Sequence, residues 1–384
     1  MARRLSVNAE LADRAAAHAI DLLRFDATAR REVLGYLRRL EEKLVDDVAR
    51  FRIGGVADQS IRRQRAEHLL VQVQESIRTA YGQAADASAQ MLLDLGKIES
   101  RAALAGAAQF AVAADIQLNI LTAGQLRRIV DSTLIERAPS RAWWERQAGD
   151  LMQRFSDEIR EGVGLAETND DLVRRIRGRA TGKRHLYELN GREHTFVEFK
   201  GGLMDTSTRN ARALVRTSVQ TIAGQVRRDT FEENQDVVKG VVQISTLDLR
   251  TTVECFARGG LAWSLPDYSP IDHEIAYNGG VPLHWGCRST EAPLLRSWEE
   301  LGIDRKEVAG DEGRWSRMDG EVPPDFSMDD FLGRRSPDQV DDVLGAGIGS
   351  LYRGGRVGLQ DLIDAQSGRA LSLRELEGRL GIIN

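Results

Sequence analysis

The sequence predicts a mostly helical α+β protein: a long helical N-terminal half, a small α+β domain, then a helical C-terminal tail. Three observations lead there. The chain holds eight prolines, yet none precedes Pro139. A proline-free stretch can carry long helices, because nothing in it removes an N–H or clashes with the preceding turn. Within it, apolar residues recur every three or four positions, the period of one helix face. Beyond Gly162, runs with β character enter between helical segments.

Taken in order, "REVLGYLRRLEEKLVDDVARF" places Leu34, Leu37, Leu40, Leu44 and Val48 on one stripe with charge between them. Asp26 or Thr28 supplies an N-cap for this helix. "IGGVADQS" is a turn, and a second helix runs from about Ile61. "AGAAQFAVAADIQLNILT" reads as a third, rich in small residues that allow close packing. "TAGQLRRIVDSTLIERA" and "RAWWERQAGDLMQRFSDEIREGV" continue the series. A short helix beginning near "TNDDLVRRIR" leads to two β-like runs, "HLYEL" and "HTFVEF", joined by the hairpin signal "NGRE". The segment from about Asp205 to Asn234 is helical again, on Val215 or Leu214, Val219, Ile222 and Val226, with Ala213 keeping the period. "VVKGVVQIST" is a strand. Residues 246–293 read as loop, holding four of the eight prolines. The last part reads as short helices with polar turns. The domain division expected from this is 1–165 helical, 166–205 linker with hairpin, 206–298 α+β domain, 299–384 helical tail.

Composition narrows the function classes. With 384 residues there is room for roughly two or three domains. Hydrophobic residues at 42% and charged residues at 29% are ordinary for a water-soluble chain. No apolar run approaches a membrane span, and the start has no apolar core of a secretory signal. Two cysteines make no disulfide framework, which fits a reducing cytoplasm. A net charge of -5 gives no global attraction to nucleic acid or anionic lipid.

The chemistry concentrates in "TLDLRTTVECFARGG" and "PLHWGCRST". Cys287 follows His284 by three residues, and Cys255 stands upstream. Thiolate and imidazole both suit zinc, but a structural site normally takes four ligands. The fourth is open between His273, Asp272 and a water. Two other readings stand beside the metal: buried free thiols with a hydrogen-bonded histidine, and a cysteine nucleophile with His284 as base. Asp248 and Arg250 lie two apart after the strand, on one face if the strand continues; a salt bridge or turn cap shaping the loop is the favoured role, and a partner for a metal-bound histidine is the other reading of Asp248. The run Arg174, Arg175, Arg177, Arg179, Lys183 and Arg184 is a candidate DNA contact, since clustered cations neutralise phosphates. Trp143 and Trp144 are candidate partner contacts, tryptophan being enriched among binding hot spots. Neither "GRATGKR" nor "GAGIGS" has the spacing or context of a nucleotide loop.

The order of these motifs resembles the head morphogenesis domain of phage minor head proteins, the Mu F-like family. The resemblance runs from a helix with Arg216 and Thr217, through a strand, to Asp248, Arg250 and Thr251. It continues through Cys255, Gly260 and Trp263, and closes on Pro282, His284, Cys287 and Arg288. It covers about a quarter of the chain. Many members carry a second cysteine where this chain has Thr252, so a four-ligand zinc site does not transfer whole. The resemblance implies a non-enzymatic structural protein of a tailed phage or prophage. It further implies association with the portal protein, contact with scaffold, major capsid protein or packaged DNA, no membrane, and a place inside the head after synthesis in the host cytoplasm. The alternatives are a metal- or cysteine-dependent hydrolase related to toxin modules, and a DNA-binding protein.

Overall fold

Residues 7–189, 192–246, 248–304 and 328–382 are described in the computed structural model. The fold is mostly helical, with helices before and after a small mixed α+β region that contains Cys255, His284 and Cys287.

Helix α1 (Val7–Phe51) runs 45 residues without a break. Asp26 and Thr28, expected to start a helix, lie in its interior instead. The reason is local: the preceding stretch has no glycine or proline and is rich in alanine, the best helix former. Asp26 is 1% exposed and pairs with Arg30 at 2.8 Å, one turn on. Leu34, Leu37, Leu40, Leu44 and Val48 are all buried, as their spacing predicts. After a tight turn comes α2 (Gln59–Leu104). The helix expected next is shorter than its composition indicates. Helix α3 (Ala108–Ala114) stops where Asp115 takes φ 56 and donates its N–H to the carbonyls of Ala111 and Val112. Helices α4 (Ala123–Ser132), α5 (Ser140–Gly164) and α6 (Asn169–Arg177) follow, the last opened by a capping box of Thr168 and Asp171.

Strands β1 (Gly178–Leu189) and β2 (Arg192–Gly201) form the predicted antiparallel hairpin. It starts well ahead of "HLYEL", and its tip at 190–191 lies outside the described residues. Helix α7 (Leu203–Glu232) then leads into β3 (Val238–Ile244). The expected loop over 246–293 contains more structure than its prolines indicate: α8 (Val253–Arg258), β4 (Ala262–Ser264), β5 (Pro270–Ile271) and β6 (Thr290–Leu295). The sheet order is β5-β4-β3-β6, antiparallel throughout. Pro293 is tolerated because β6 is an edge strand, where an N–H can be spared. Helices α9 (Met328–Gly333), α10 (Pro337–Leu344), α11 (Ala346–Arg353) and α12 (Leu373–Arg379) make the tail. Ser336 with Gln339, and Ser372 with Glu375, cap two of them. Residues 305–327 of the tail lie outside the described residues.

The chain divides into two compact units, and the division cuts across the linear boundaries expected from the sequence. Unit 1 is Met1–Leu23, Leu95–Leu126 and Gln220–Asn384; unit 2 is Arg24–Asp94 and Arg127–Val219. Four helices, α1, α2, α4 and α7, each contribute residues to both, the three longest among them. Unit 2 is a helical body with the hairpin. Trp144 is 1% exposed in its core and packs edge-to-face on Tyr81, ring centroids 6.1 Å apart. In unit 1, Phe231, Val238, Val241, Trp263 and Leu295 form a core around the sheet with Leu11 and Phe110. A second cluster joins Phe256 to Phe331, Leu332, Val340 and Leu362 of the tail. No helix among the described residues is long and apolar enough to cross a membrane.

Candidate metal centre

Two segments of unit 1 build the site: the turn and short helix after β3, and the loop before β6. The first leaves the strand at Ser245, whose hydroxyl donates to the Cys255 carbonyl at 2.6 Å. Asp248 does not continue the strand, so it does not share a sheet face with Arg250. It sits in a turn, accepting the Arg250 N–H at 2.8 Å and both terminal nitrogens of Arg288, one of them at 2.6 Å. Two hydroxyls close the same turn. Thr251 donates to the Thr246 carbonyl at 2.6 Å, and Thr246 donates to the Arg288 carbonyl at 3.2 Å. Burial raises the Asp248 carboxyl, but the Arg288 hydrogen bonds and the Arg250 N–H outweigh it and hold the group below its ordinary value.

The second segment is docked by buried arginines. Arg228 donates to the Val281 carbonyl at 2.9 Å. Arg258, 1% exposed, donates to the carbonyls of Ala276 and Tyr277 at 3.1 and 2.6 Å and stacks over Trp263. Glu291 accepts the Tyr277 hydroxyl at 2.6 Å and pairs with Arg228 at 3.2 Å. From that anchor the chain passes Pro282 and turns back between His284 and Cys287, with a 3.1 Å bond from the Cys287 N–H to the His284 carbonyl. Gly286 makes the turn at φ 76, a region that costs a residue with a Cβ.

These two docked segments bring Cys255, His284 and Cys287 together. Cys255 Sγ lies 3.7 Å from Cys287 Sγ and 3.5 Å from His284 Nε2. All three donor atoms lie within 4.8 Å of one another, close enough to share one metal ion. Both cysteines are buried and free, packed with Val281, while His284 is half-buried. His284 Nδ1 is 3.1 Å from the Trp285 carbonyl. A proton on Nδ1 satisfies that carbonyl and leaves the Nε2 lone pair facing the sulfurs. Cys287 is held well below the ordinary thiol range, first by a hydrogen bond from Cys255 and then by His284. Cys255 is pushed well up by the same bond and by burial. His284 is raised, chiefly by Cys287.

Thr252 lies beside the cluster. It occupies the N-cap position of α8 but makes no capping bond. Its hydroxyl turns instead to His284 Nε2 at 3.1 Å and also hydrogen-bonds Cys255. Neither residue weighed from the sequence as fourth ligand reaches the cluster. His273 uses Nε2 on the Ala262 carbonyl at 2.8 Å and Nδ1 on the Ile275 N–H at 3.1 Å. Asp272 is exposed in that same loop.

The other predicted residues scatter. Arg216 and Thr217 belong to unit 2, where Arg216 acts on Asp26 and Thr217 is buried. Half of the basic run is committed to ion pairs. Arg174 pairs with Asp171 at 3.1 Å, Arg175 with Glu158, Glu161 and Glu167, and Arg177 with Glu41 at 2.8 Å. Arg179, Lys183 and Arg184 are exposed on β1. Trp144 is a core residue and presents no contact surface, correcting its expected role. Trp143 is half-buried, its Nε1 donating to the Ile135 carbonyl at 2.8 Å. Sequence reasoning missed a buried ion network in unit 1: Glu99 takes His18 at 2.6 Å and Arg227 at 3.0 Å. Its members come from α1, α2 and α7, so no spacing reveals it.

No protein-family model matches the chain, and comparison with curated proteins and with solved structures returns no match.

Proposed function

We propose that this is a zinc protein, with the ion held by Cys255, His284 and Cys287. One observation carries the reading: the donor spacing. With Zn–S of about 2.3 Å and Zn–N of about 2.05 Å, a tetrahedron has edges of about 3.75 Å between sulfurs and about 3.55 Å from sulfur to nitrogen. The chain has 3.7 and 3.5 Å. Three protein ligands leave one position for an exogenous oxygen beside the Thr252 hydroxyl. An open position of this kind belongs to catalytic rather than closed structural sites, which supports the metal-dependent alternative drawn from the sequence. Bound zinc would also fasten the 282–287 loop to α8, as structural zinc does. The test is metal analysis of protein expressed with zinc, expecting one ion per chain, then hydrolysis assays on ester, peptide and phosphodiester substrates. One ion with turnover lost in His284→Ala supports a hydrolase. One ion without turnover leaves a zinc fastener. No ion sinks the proposal.

A second reading is the phage minor head protein, a non-enzymatic component of the virion near the portal. It rests on motif resemblance, and the convergence of Asp248, Thr251, Cys255, His284, Cys287 and Arg288 on one site favours it. Co-expression with a neighbouring portal protein, followed by mass measurement of the complex, tests it. Two folded partners that do not associate at low salt would count against it.

A further inference from the structure

A second site lies in the C-terminal tail, away from the cysteines. Helices α9, α10 and α11 and the segment after them enclose a cleft of about 570 Å³. That is within the range of small-molecule sites, roughly 300–1,000 Å³. Its floor is apolar, made by the buried side chains of Leu332, Val340 and Val357. Two arginines line it, and their situations differ. Arg353 is paired with Asp341 and donates to the Pro337 carbonyl at 3.2 Å. Arg335 makes no ion pair among the described residues, and its Nε is buried without a hydrogen-bond partner. The guanidinium carbon lies over the Phe331 ring, 4.2 Å from the centroid. Asp329 also lines the cleft, but its carboxylate accepts the Tyr352 hydroxyl at 2.7 Å and pairs with neither arginine.

A partly buried guanidinium without a counter-charge is costly, and an unpaired buried donor adds to the cost. We propose that this cleft binds an organic carboxylate with an apolar body, of amino-acid to dipeptide size, its carboxylate on Arg335. A single guanidinium presents a fork of parallel N–H donors that matches a planar carboxylate. A phosphate dianion would call for a second uncommitted cation, and Arg353 is committed to Asp341. The apolar floor takes the ligand body.

The test uses the full chain with two probes, N-acetylphenylalanine and its amide, which differ in the carboxylate alone. Titration followed by calorimetry should show the acid binding on the order of tenfold or more tighter than the amide. Arg335→Gln should remove that preference at unchanged Tm. Gly333→Leu is the second variant: Gly333 lines the cleft, an added Cβ there meets nothing within 4 Å, and the larger side chain is introduced to narrow it. It should weaken the acid on the order of tenfold as well. Equal affinity for acid and amide, or no binding of either at millimolar concentration, would overturn the proposal. So would Arg335-dependent binding of inorganic phosphate tighter than the acid.

Discussion

Chelation of zinc at the proposed site of Cys255, His284 and Cys287 should lower the stability of unit 1 by an amount set by the loop the ion would close. Cys255 and Cys287 are 32 residues apart. A cross-link closing a loop of that length removes about 12 cal/mol/K of chain entropy from the unfolded state, close to 4 kcal/mol at room temperature. Arg228 and Arg258 also hold this loop, through carbonyls that no metal ligand supplies, so about 4 kcal/mol is the scale of the loop closure alone. For a domain of roughly 200 residues that scale corresponds to a fall in Tm of roughly 8–15 °C. The assay is calorimetric melting of the protein as purified, after excess chelator, and after zinc is restored. Cys255→Ser and His284→Ala should reproduce the chelated value, and chelator should then do nothing further to them. If chelator leaves Tm unchanged while both variants melt like the parent, the three side chains do not share an ion and the reasoning fails.

Three other outcomes follow from the packing. Asp248→Ala should cost about 2 kcal/mol, because it strips Arg288 of its half-buried counter-charge. The carboxyl is held below its ordinary value, so the stabilisation is full above the unfolded carboxylate pKa and disappears as pH falls through the lower folded value. Denaturant midpoints from pH 6 down to about pH 2.5 should therefore converge between parent and variant, and a gap constant over that range would contradict the pairing. Trp144→Ala should cost about 3–5 kcal/mol through a core cavity; a change under about 1 kcal/mol, read by denaturant unfolding, would return Trp144 to the surface. Glu99→Gln should cost about 3 kcal/mol or more, since it leaves buried Arg227 without its carboxylate, whereas exposed Lys183→Glu should stay within about 0.5 kcal/mol in the same measurement.

The sequence by itself determined the local structure. A proline-free N-terminal stretch with one apolar stripe has few options besides long helices, and Leu34 to Val48 are buried as that stripe requires. The hairpin and β3 were legible from runs of β-prone residues bounded by turn signals. The three donors Cys255, His284 and Cys287 were legible because cysteine is rare here and their spacing is chemical rather than periodic. Tertiary structure decided the rest. Which carboxylate meets Arg288, and whether His273 reaches the sulfurs, depends on how a long loop folds back. That is fixed by Arg228, Arg258 and Glu291, which no local pattern links to it. Trp144 and Arg175 read as surface residues in one dimension and are a core ring and an ion-pair hub in three. Burial depends on what packs against a side chain. In a chain whose longest helices serve two units, those neighbours come from segments distant in the sequence.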